Sequence, residues 1–480
     1  MLHYNPIKMK TLRNFIILSI IFSFYLSFAQ GTKIEKTENQ KKPNIIIIFA
    51  DDLGYGDLSC YGHPTIITPH LDKMASEGQK WTNFYVAASV CTPSRAGLIT
   101  GRYPIRSGLC SNKSRVLFPN STGGLPSGEI TIAEQLKKAG YATAAVGKWH
   151  LGHLKPYLPT NNGFDSYFGI PYSNDMDRKN AEGLSRKDIF WNAKIKYFDV
   201  PILRDEVEIE RPANQHTLTK RYNEAAVKFI KEHKEEPFFL YLAHNLPHVP
   251  LFASKDFIGK SKRGLYGDVL QEIDQGVGEI IKTLKEMGID KNTLVVFTSD
   301  NGPWLIYGDH GGSAGLLNDG KGTTWEGGMR VPGVFWWPGK LKPGIVTDIG
   351  STLDLFTTAS TLADIELPSD RIIDGEDLSP VLFGLESSAR DNIIYYRGQT
   401  IYAARKGAYK LHYITQTAYL KDTKKVVHKD PLLFNIEVDP SEKDNIAKGH
   451  SEIIKEINEM VELHKSGVIP VKDQLAERIN

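Results

Sequence analysis

Apolar residues recur along the first 385 positions in two patterns, each typical of one kind of secondary structure. Continuous apolar runs, such as NIIIIFA at 44–50 and TLVVFTS at 293–299, predict strands buried on both faces of a sheet. Residues 265–284 instead place an apolar side chain every three or four positions, which predicts a helix with one face on that sheet. Strands alternating with helices predict an α/β fold, with a large mixed, mostly parallel sheet sandwiched by helices.

The segment between these runs contains two more predicted helices, each followed by a strand. They are the helix TIAEQLKKAG (131–140), the strand YATAAVGK (141–148), the helix TLTKRYNEAAVKFIKEHKEE (217–236) and the strand PFFLYLAH (237–244). In such a sheet, ligands bind beyond the carboxyl ends of the strands. We therefore expect the chemistry to lie in the loops that follow the strands.

The pattern changes after about residue 385, where short alternating runs are separated by turns. The runs NIIYYRG (392–398), TIYAARKG (400–407), AYKLHYI (408–414) and LLFNIEVD (432–439) predict a small antiparallel sheet, and SEIIKEINEMVELHKSG (451–467) predicts a helix after it. We therefore expect a large domain over residues 44–385 and a C-terminal α+β subdomain over residues 386–480.

The N-terminus has the pattern of a signal peptide. Three basic residues precede the apolar run at 15–26, and Ser27 and Ala29 supply small side chains for a cleavage site. We expect a signal peptide over 1–29, a polar tether over 30–43, and export to the periplasm or the medium. An uncleaved anchor is the alternative, but the run is short for a membrane span, so stable membrane insertion of the mature chain is not expected.

Composition is that of an ordinary globular protein, with 41% hydrophobic and 24% charged residues. The formal net charge is +2, and it falls to about −1 once the basic residues of the signal peptide are removed. No basic field for nucleic acid is present, so no nucleic-acid partner is expected. Any selectivity for anions must therefore be local.

Two pairs of oxygen-bearing side chains follow two of the predicted strands. Asp51 and Asp52 come after the first strand, and Asp300 and Asn301 come after the strand at 293–299. Their hard oxygen donors favour calcium or magnesium over zinc. The alternative is that they cap turns, because Asp and Asn are common there.

Nitrogen donors follow the other strands or lie in glycine-rich turns. They are Lys148, His150, His244, His248 and Lys321. Lysine supplies a cation, and histidine supplies a hydrogen-bond donor or a proton shuttle. Each taken alone is equally consistent with an ordinary loop residue.

Three cysteines in an exported chain leave one without a partner. Cys60 and Cys110 could form a bridge or be buried as small apolar residues. Cys91 precedes Arg95 at the start of a predicted helix, and either the arginine or the helix N-terminus could lower the pKa of a nucleophilic thiol. A cysteine hydrolase of that kind would use a histidine base but would leave the four oxygen donors without a role.

Several blocks of the chain resemble the type I sulfatase family, in its arylsulfatase A-like branch. The first signature is similar to CTPSRAGLITGRYP (91–104) and the second to GYATAAVGKWH (140–150). Further similar blocks are DDLGYGD, YFGIPYSNDM, TSDNGP and GKGTTWEGGMRVP. The resemblance covers residues 43–385 and implies an alkaline-phosphatase-like fold and a sulfatase, of the bacterial polysaccharide type.

The resemblance also implies the cofactors. A maturation enzyme oxidises the family's signature cysteine to formylglycine, so Cys91 is the expected modified residue and that enzyme an expected partner. One calcium ion is expected on Asp51, Asp52, Asp300 and Asn301. A hydroxyl of the hydrated aldehyde attacks the sulfur of a sulfate ester, and its second hydroxyl allows the sulfate to be released.

Roles for the remaining residues are carried over by position. Arg95 is expected to stabilise the hydrate, and His150 is expected to orient or deprotonate it. The expected sulfate-contacting residues are Lys148, His248 and Lys321, with His248 or Lys321 as the acid for the leaving oxygen. Ser173 corresponds to a polar residue near the sulfate. His244 has no assured counterpart, so it is either a substrate-binding or a structural histidine.

A long polar loop at 161–191 and three aromatic residues favour a sulfated carbohydrate as substrate. Trp191, Trp304 and Tyr307 could stack on sugar rings, or they could pack ordinarily. A phosphatase or phosphonate monoester hydrolase of the same fold is one alternative. A non-catalytic protein that binds sulfated glycans is the other.

Overall fold

The computed structural model describes residues 41–418 and 423–479. The predicted signal peptide and all but the last three residues of the predicted tether lie outside the described residues. Among the residues that are described, no helix is long and apolar enough to cross a bilayer.

The larger sheet contains ten of the strands in the described ranges, and four more form a second sheet. The strands of the larger sheet are β1 Asn44–Ala50, β2 Gln79–Tyr85, β3 Ala142–Gly147, β4 Ser166–Gly169, β5 Ile202–Arg204, β6 Val207–Glu210, β7 Phe238–Ala243, β8 Thr293–Ser299, β9 Arg330–Trp336 and β10 Gly344–Ser351. Their spatial order is β10-β2-β9-β8-β1-β7-β3-β4-β5-β6.

The centre of this sheet is parallel and its flanks are mixed. Strand β1 pairs in parallel with both β7 and β8, so that Ile47 lies opposite Tyr241 on one side and Val296 on the other. Strand β3 continues the parallel set beyond β7, whereas β9 runs antiparallel between β8 and β2. The predicted mixed, mostly parallel sheet is confirmed.

Helices cover both faces of the sheet. The α-helices of the whole described part of the chain, including those outside the large sheet, are α1 Pro69–Glu77, α2 Cys91–Thr100, α3 Ile132–Lys137, α4 Arg186–Phe190, α5 Leu218–Glu232, α6 Leu265–Glu286, α7 Glu326–Met329, α8 Asp354–Leu362, α9 Ser379–Leu382 and α10 Ser451–Ser466. Helices α1, α5 and α6 pack in one hydrophobic core, and α2, α3 and α8 pack in the other.

Alternation along β1 explains why the sheet has two cores. Ile46 and Ile48 belong to the core on one face, whereas Ile45 and Ile47 belong to the core on the other. Successive side chains of a strand point to opposite faces, so a continuous apolar run supplies both. For this reason the sequence of a central strand is a continuous apolar run and does not alternate between apolar and polar residues.

The C-terminal sheet is antiparallel, as predicted, with the order β11-β12-β13-β14. Its strands are β11 Asn392–Arg397, β12 Thr400–Lys406, β13 Tyr409–Thr415 and β14 Val426–Asn435. The predicted run 432–439 overlaps only the end of β14, because the chain turns after Asn435. Helix α10 packs Ile457 and Val461 against this sheet. A domain boundary at 385/386 stays a prediction.

A buried ionic network links α7 to the C-terminal sheet. The Lys410 ammonium lies 2.9 Å from a carboxylate oxygen of Glu326 and 2.9 Å from one of Glu442, and all three side chains are fully buried. Glu442 also accepts a hydrogen bond from the backbone N–H of Glu326. Because α7 follows directly on the segment that carries Lys321, this network also fixes where that segment ends.

Replacing Lys410 by methionine removes the cation that two buried carboxylates share. We expect Lys410→Met to lower the free energy of unfolding by about 3–5 kcal/mol, measured by denaturant titration. Lys406→Met is the matched control on the neighbouring strand, since its pair with Glu456 is exposed and should change the free energy by about 1 kcal/mol or less. Equal effects of the two variants would contradict the network's role.

Candidate active site

The polar residues that follow β1, β3, β7 and β8 meet at one edge of the large sheet. These strands are adjacent and parallel, so their carboxyl ends coincide. The last residue of β3, Gly147, lies so close to β7 that a Cβ atom there would come within 1.9 Å of the Ala243 carbonyl oxygen. Glycine at this position lets the chain turn tightly into Lys148.

Three carboxylates converge on one point. A carboxylate oxygen from each of Asp51, Asp52 and Asp300 lies within 4.8 Å of the others and of the Cys91 sulfur. All four side chains are buried. The backbone of Asp52 has φ 65°, a left-handed conformation that costs energy in a residue other than glycine. Such strain is retained where a side chain has to be aimed at a site.

The acids differ in how readily they lose their protons. Burial raises the pKa of Asp52 to about 6, although the Lys321 ammonium opposes the shift. Burial and the neighbouring charge of Asp51 raise the pKa of Asp300 to about 7. Burial alone would raise the pKa of Asp51 as well, but Lys148 and other nearby cations hold it well below its usual value. Asp51 is therefore the most readily ionised acid of the cluster, and each of the three carboxylates is paired with at least one cation.

Cys91 is the first residue of α2 and points into the acid cluster. Its sulfur lies 3.4 Å from Asp51 Oδ1 and 3.6 Å from Lys321 Nζ. Burial and the charge of Asp51 raise the pKa of the thiol well above its usual value. The alternative of a cysteine hydrolase, in which Arg95 or the helix N-terminus lowers this pKa, is therefore disfavoured.

The guanidinium group of Arg95 connects the acid cluster to the loop after β3. Its Nε and Nη2 both donate to Asp300 Oδ2, at 3.1 and 2.9 Å, and Nη1 donates to the Lys148 carbonyl oxygen at 2.9 Å. Because Arg95 lies on the next turn of α2 after Cys91, this fork ties the helix to both β8 and the loop after β3.

Two lysines pair with different carboxylates of the cluster. Lys148 Nζ donates to Asp51 Oδ2 at 2.5 Å and to Ser173 Oγ at 3.3 Å. Lys321 Nζ lies 2.6 Å from Asp52 Oδ1. Both ammonium groups are buried. They therefore present cationic donors around the point on which the carboxylates converge.

The three predicted histidines occupy different environments. His248 Nε2 lies 3.7 Å from Asp52 Oδ2, and its Nδ1 bonds to the Val249 carbonyl. His150 Nε2 bonds to the carbonyl of Leu117, while its Nδ1 is buried without a hydrogen-bond partner. Burial and nearby lysine charge lower the pKa of both rings well below the usual value, so both are neutral.

His244 directly follows β7 but lies apart from the acids. Its ring packs against Tyr222 of α5, with centroids 6.4 Å apart. Burial lowers its pKa to about 4. No hydrogen bond or ion pair joins His244 to the acid cluster among the residues described, so its substrate-binding role stays a prediction.

The predicted aromatic residues form one cluster beside the acids. Trp304 contacts His248 and Tyr307, with ring centroids 5.3 and 4.8 Å apart, and Trp191 contacts Tyr307 at 5.3 Å. Tyr307 is buried, whereas Trp191 and Trp304 are half-buried. Stacking on sugars stays a prediction for all three.

Asp175 is a residue that the sequence reasoning missed. It hydrogen-bonds Ser173 and lies in the electrostatic range of Lys148 and Lys321. Its Oδ1 atom is buried with no hydrogen-bond partner. The only signal in the sequence was its position two residues after Ser173 in a block that resembles the family.

The other two cysteines, Cys60 and Cys110, are free thiols. Cys60 lies at the short 3₁₀ turn before α1, where its backbone N–H donates to Asp72. Cys110 is buried, and burial raises its pKa to about 12. The alternative of buried small residues therefore describes them better than a bridge does.

The architecture is that of the alkaline-phosphatase-like fold. A phosphonate monoester hydrolase of Agrobacterium radiobacter superposes with a TM-score of 0.58 over 88% of this chain and 95% of that chain. It is only 20% identical, so the likeness concerns the fold alone.

The chain belongs to the sulfatase family. Residues 43–365 match the Sulfatase family, and residues 388–480 match the C-terminal region of aryl-sulfatase. Arylsulfatase A of Bos taurus is 40% identical over 86% of this chain and 85% of its own length. Human N-acetylgalactosamine-6-sulfatase is 39% identical over 90% of this chain and 87% of its own length. The protein is therefore a sulfuric ester hydrolase of the arylsulfatase A-like kind.

A bacterial structure is similar throughout. It comes from work on the metabolism of multiple glycosaminoglycans by Bacteroides thetaiotaomicron, and it superposes with a TM-score of 0.77 at 32% identity. The match covers 89% of this chain and all of that chain. Relatives in mammals and in a bacterium leave the expected bacterial origin a prediction.

Replacing Arg95 by lysine should test how far the site depends on its guanidinium fork. Lysine cannot donate in the fork geometry to Asp300 and to the Lys148 carbonyl together. We expect Arg95→Lys to lower the free energy of unfolding by about 1.5–3 kcal/mol. The control is Arg371→Lys, whose partner Asp370 is 64% exposed and whose loss should cost about 1 kcal/mol or less. An Arg95→Lys protein as stable as the control would contradict this account.

Proposed function

We propose that this protein is an exported sulfatase that hydrolyses sulfate esters of a carbohydrate, using formylglycine made from Cys91 and one calcium ion. The observation that carries the proposal is the convergence of Cys91 with three carboxylates and two lysines in one buried cluster. An acid cluster of this kind suits a cation, and the lysines beside it suit an anion.

The donor set fits a calcium ion. Burial, together with the neighbouring charge of Asp51, raises the pKa of Asp52 and Asp300, and a bound cation would favour their ionised forms. Asn301 Nδ2 donates to Asp52, which leaves the Asn301 Oδ1 atom buried and without a hydrogen-bond partner. We assign Asp51, Asp52, Asp300 and Asn301 as the ligands. The ion would supply Lewis-acid stabilisation of negative charge on the sulfate group.

The thiol of Cys91 fits modification better than direct catalysis. Its raised pKa disfavours a thiolate, yet its sulfur lies between Asp51 and Lys321 at the centre of the cluster. Formylglycine at this position would supply the nucleophilic oxygen for attack on the sulfate ester. The proposal therefore includes a formylglycine-generating maturation enzyme as a partner.

The surrounding residues have separate tasks. Lys148 and Lys321 donate charge-assisted hydrogen bonds to the sulfate oxygens, and His248 donates from Nε2 only when its ring is protonated. The contact of Ser173 with Lys148 supports a role for Ser173 beside the sulfate. Arg95 holds Asp300 and the α2 backbone in place.

Proton transfer has two parts in the proposal, one at residue 91 and one at the leaving oxygen. His150 must donate from Nε2 to the Leu117 carbonyl, so its unpartnered Nδ1 is an acceptor suited to a hydroxyl on residue 91. Lys321 is the acid for the leaving oxygen, since its ammonium faces the side of the cluster formed by Asp52. His248 can take this role only when protonated, because its Nδ1–H donates to the Val249 carbonyl oxygen and a neutral ring then has no proton on Nε2.

A carbohydrate suits the site better than a simple aryl sulfate. Asp175 carries a buried carboxylate oxygen without a partner near the two lysines, and a buried acceptor needs a donor such as a sugar hydroxyl. The human relative is named N-acetylgalactosamine-6-sulfatase, after a sulfated sugar, and the bacterial relative comes from work on the metabolism of glycosaminoglycans. His244, at the carboxyl end of β7, remains a candidate for substrate binding. The apolar run at 15–26 supports export.

Calcium should stabilise the folded protein. Binding at one hundred times the dissociation constant adds about 2.7 kcal/mol to the free energy of unfolding. We expect calcium to raise the thermal midpoint of the wild type with one ion per chain, and a chelator to reverse this. Asp300→Asn should lose most of the response, whereas Asp256→Asn, an exposed acid, should keep it. A wild type indifferent to calcium would remove the metal from the proposal.

Sulfate release should depend on residue 91. We expect peptide mass spectrometry of protein made with a formylglycine-generating enzyme to find the aldehyde at Cys91, and defined sulfated oligosaccharides to be desulfated. Cys91→Ala should fold but lose turnover by several orders of magnitude, because the nucleophile is gone. Cys60→Ala is the matched control and should retain turnover. Unchanged turnover in Cys91→Ala would overturn the mechanism, and failure on all oligosaccharides would overturn the substrate class.

A further inference from the structure

The indole ring of Trp304 lies against a charged side chain of the site. Lys321 Nζ is 4.2 Å from the centroid of the ring, a cation–π contact at short range. The same ammonium is 2.6 Å from Asp52 Oδ1 and 3.6 Å from the Cys91 sulfur. Trp304 therefore contacts a lysine whose ammonium lies directly beside Asp52 and Cys91.

The indole contact matters for Lys321 because the backbone around this residue and its long side chain can adopt several conformations. Glycines precede and follow it, and a lysine side chain has a flexible four-carbon stem. Its backbone N–H donates to the Pro303 carbonyl oxygen at 2.9 Å, directly before Trp304. The backbone contact fixes the start of the side chain, and the indole ring meets its end.

Trp304 is itself held by the aromatic cluster. Tyr307 meets its ring edge-on at 4.8 Å, and the Arg186 guanidinium lies 4.4 Å from the Tyr307 centroid. On another side, the His248 ring lies 5.3 Å from Trp304. The ring thus touches both candidates for the general acid, and the cluster fixes its orientation.

We propose that Trp304 is a positioning residue of the sulfatase site, whose indole ring holds the Lys321 ammonium beside Asp52 and Cys91. The inference rests on the proposed function in one respect, namely that Lys321 acts on the sulfate group. It differs from stacking on a sugar ring, because a positioning role acts on every sulfate ester, whereas a sugar platform acts only on carbohydrates.

The test compares two substitutions on two substrates. Trp304→Leu removes the aromatic face and Trp304→Phe keeps one, so the phenylalanine variant should recover activity that the leucine variant loses. The substrates are a chromogenic aryl sulfate, which has no sugar ring, and a sulfated oligosaccharide turned over by the wild type. Leu305→Ala changes the adjacent residue, which is 41% exposed, and serves as the control.

We expect Trp304→Leu to lower kcat about 2- to 30-fold on both substrates, with KM for the oligosaccharide little changed. Formylglycine content should match that of the wild type, whereas the thermal midpoint should fall by a few degrees in Trp304→Leu, because the ring also packs against Tyr307 and His248. Trp304→Phe should lie between the leucine variant and the wild type, and Leu305→Ala should equal the wild type.

Two results would overturn the inference. A change confined to KM for the oligosaccharide, with the aryl sulfate unaffected, would make Trp304 a sugar platform. Equal kcat in the Trp304→Leu and wild-type proteins would show that the indole ring does not position Lys321. A wild type that cleaves the aryl sulfate but no sulfated oligosaccharide would instead refute the carbohydrate proposal, and the aryl sulfate would still test Trp304.

Discussion

Burial of three carboxylates at one edge of the sheet is the constraint on which the site depends. Asp51, Asp52 and Asp300 are removed from water, and each meets a cation from a different part of the chain. Unpaired charges in such a place cost several kcal/mol each, so Lys148, Arg95 and Lys321 have to be present. Those same cations then serve an anionic substrate, which links the stability of this edge to its chemistry.

The scaffold meets this constraint by making the chain rigid where the charges lie. The acids follow β1 and β8, which are paired in parallel at the centre of the sheet and buried on both faces. Helix α2 starts at Cys91 and is tied through Arg95 to the loops that follow β3 and β8. The C-terminal region contributes as well, because buried Lys410 of β13 and buried Glu442, in the segment after β14, contact Glu326 at the start of the helix that follows Lys321.

Much of this could be predicted from local pattern. The runs at 44–50 and 293–299 coincide with strands β1 and β8, and the helix at 265–284 was only slightly shorter than α6. The site residues at strand ends followed from the parallel sheet and from the family resemblance. Predictions were weaker where tertiary contacts decide: the 432–439 run overlapped only part of β14, and no pattern in the sequence indicated that Asp175 would be buried near two lysines.

By itself, the sequence determined the α/β class, the order of the elements and the kinds of residues available at the strand ends, because periodicity and residue chemistry are local properties. Only the tertiary structure decided which charges pair. Arg95 binds Asp300 rather than activating the Cys91 thiol, His244 lies against Tyr222 rather than in the acid cluster, and Trp304 contacts Lys321. Burial and distance set these outcomes, and both arise only when segments far apart in the chain are packed together.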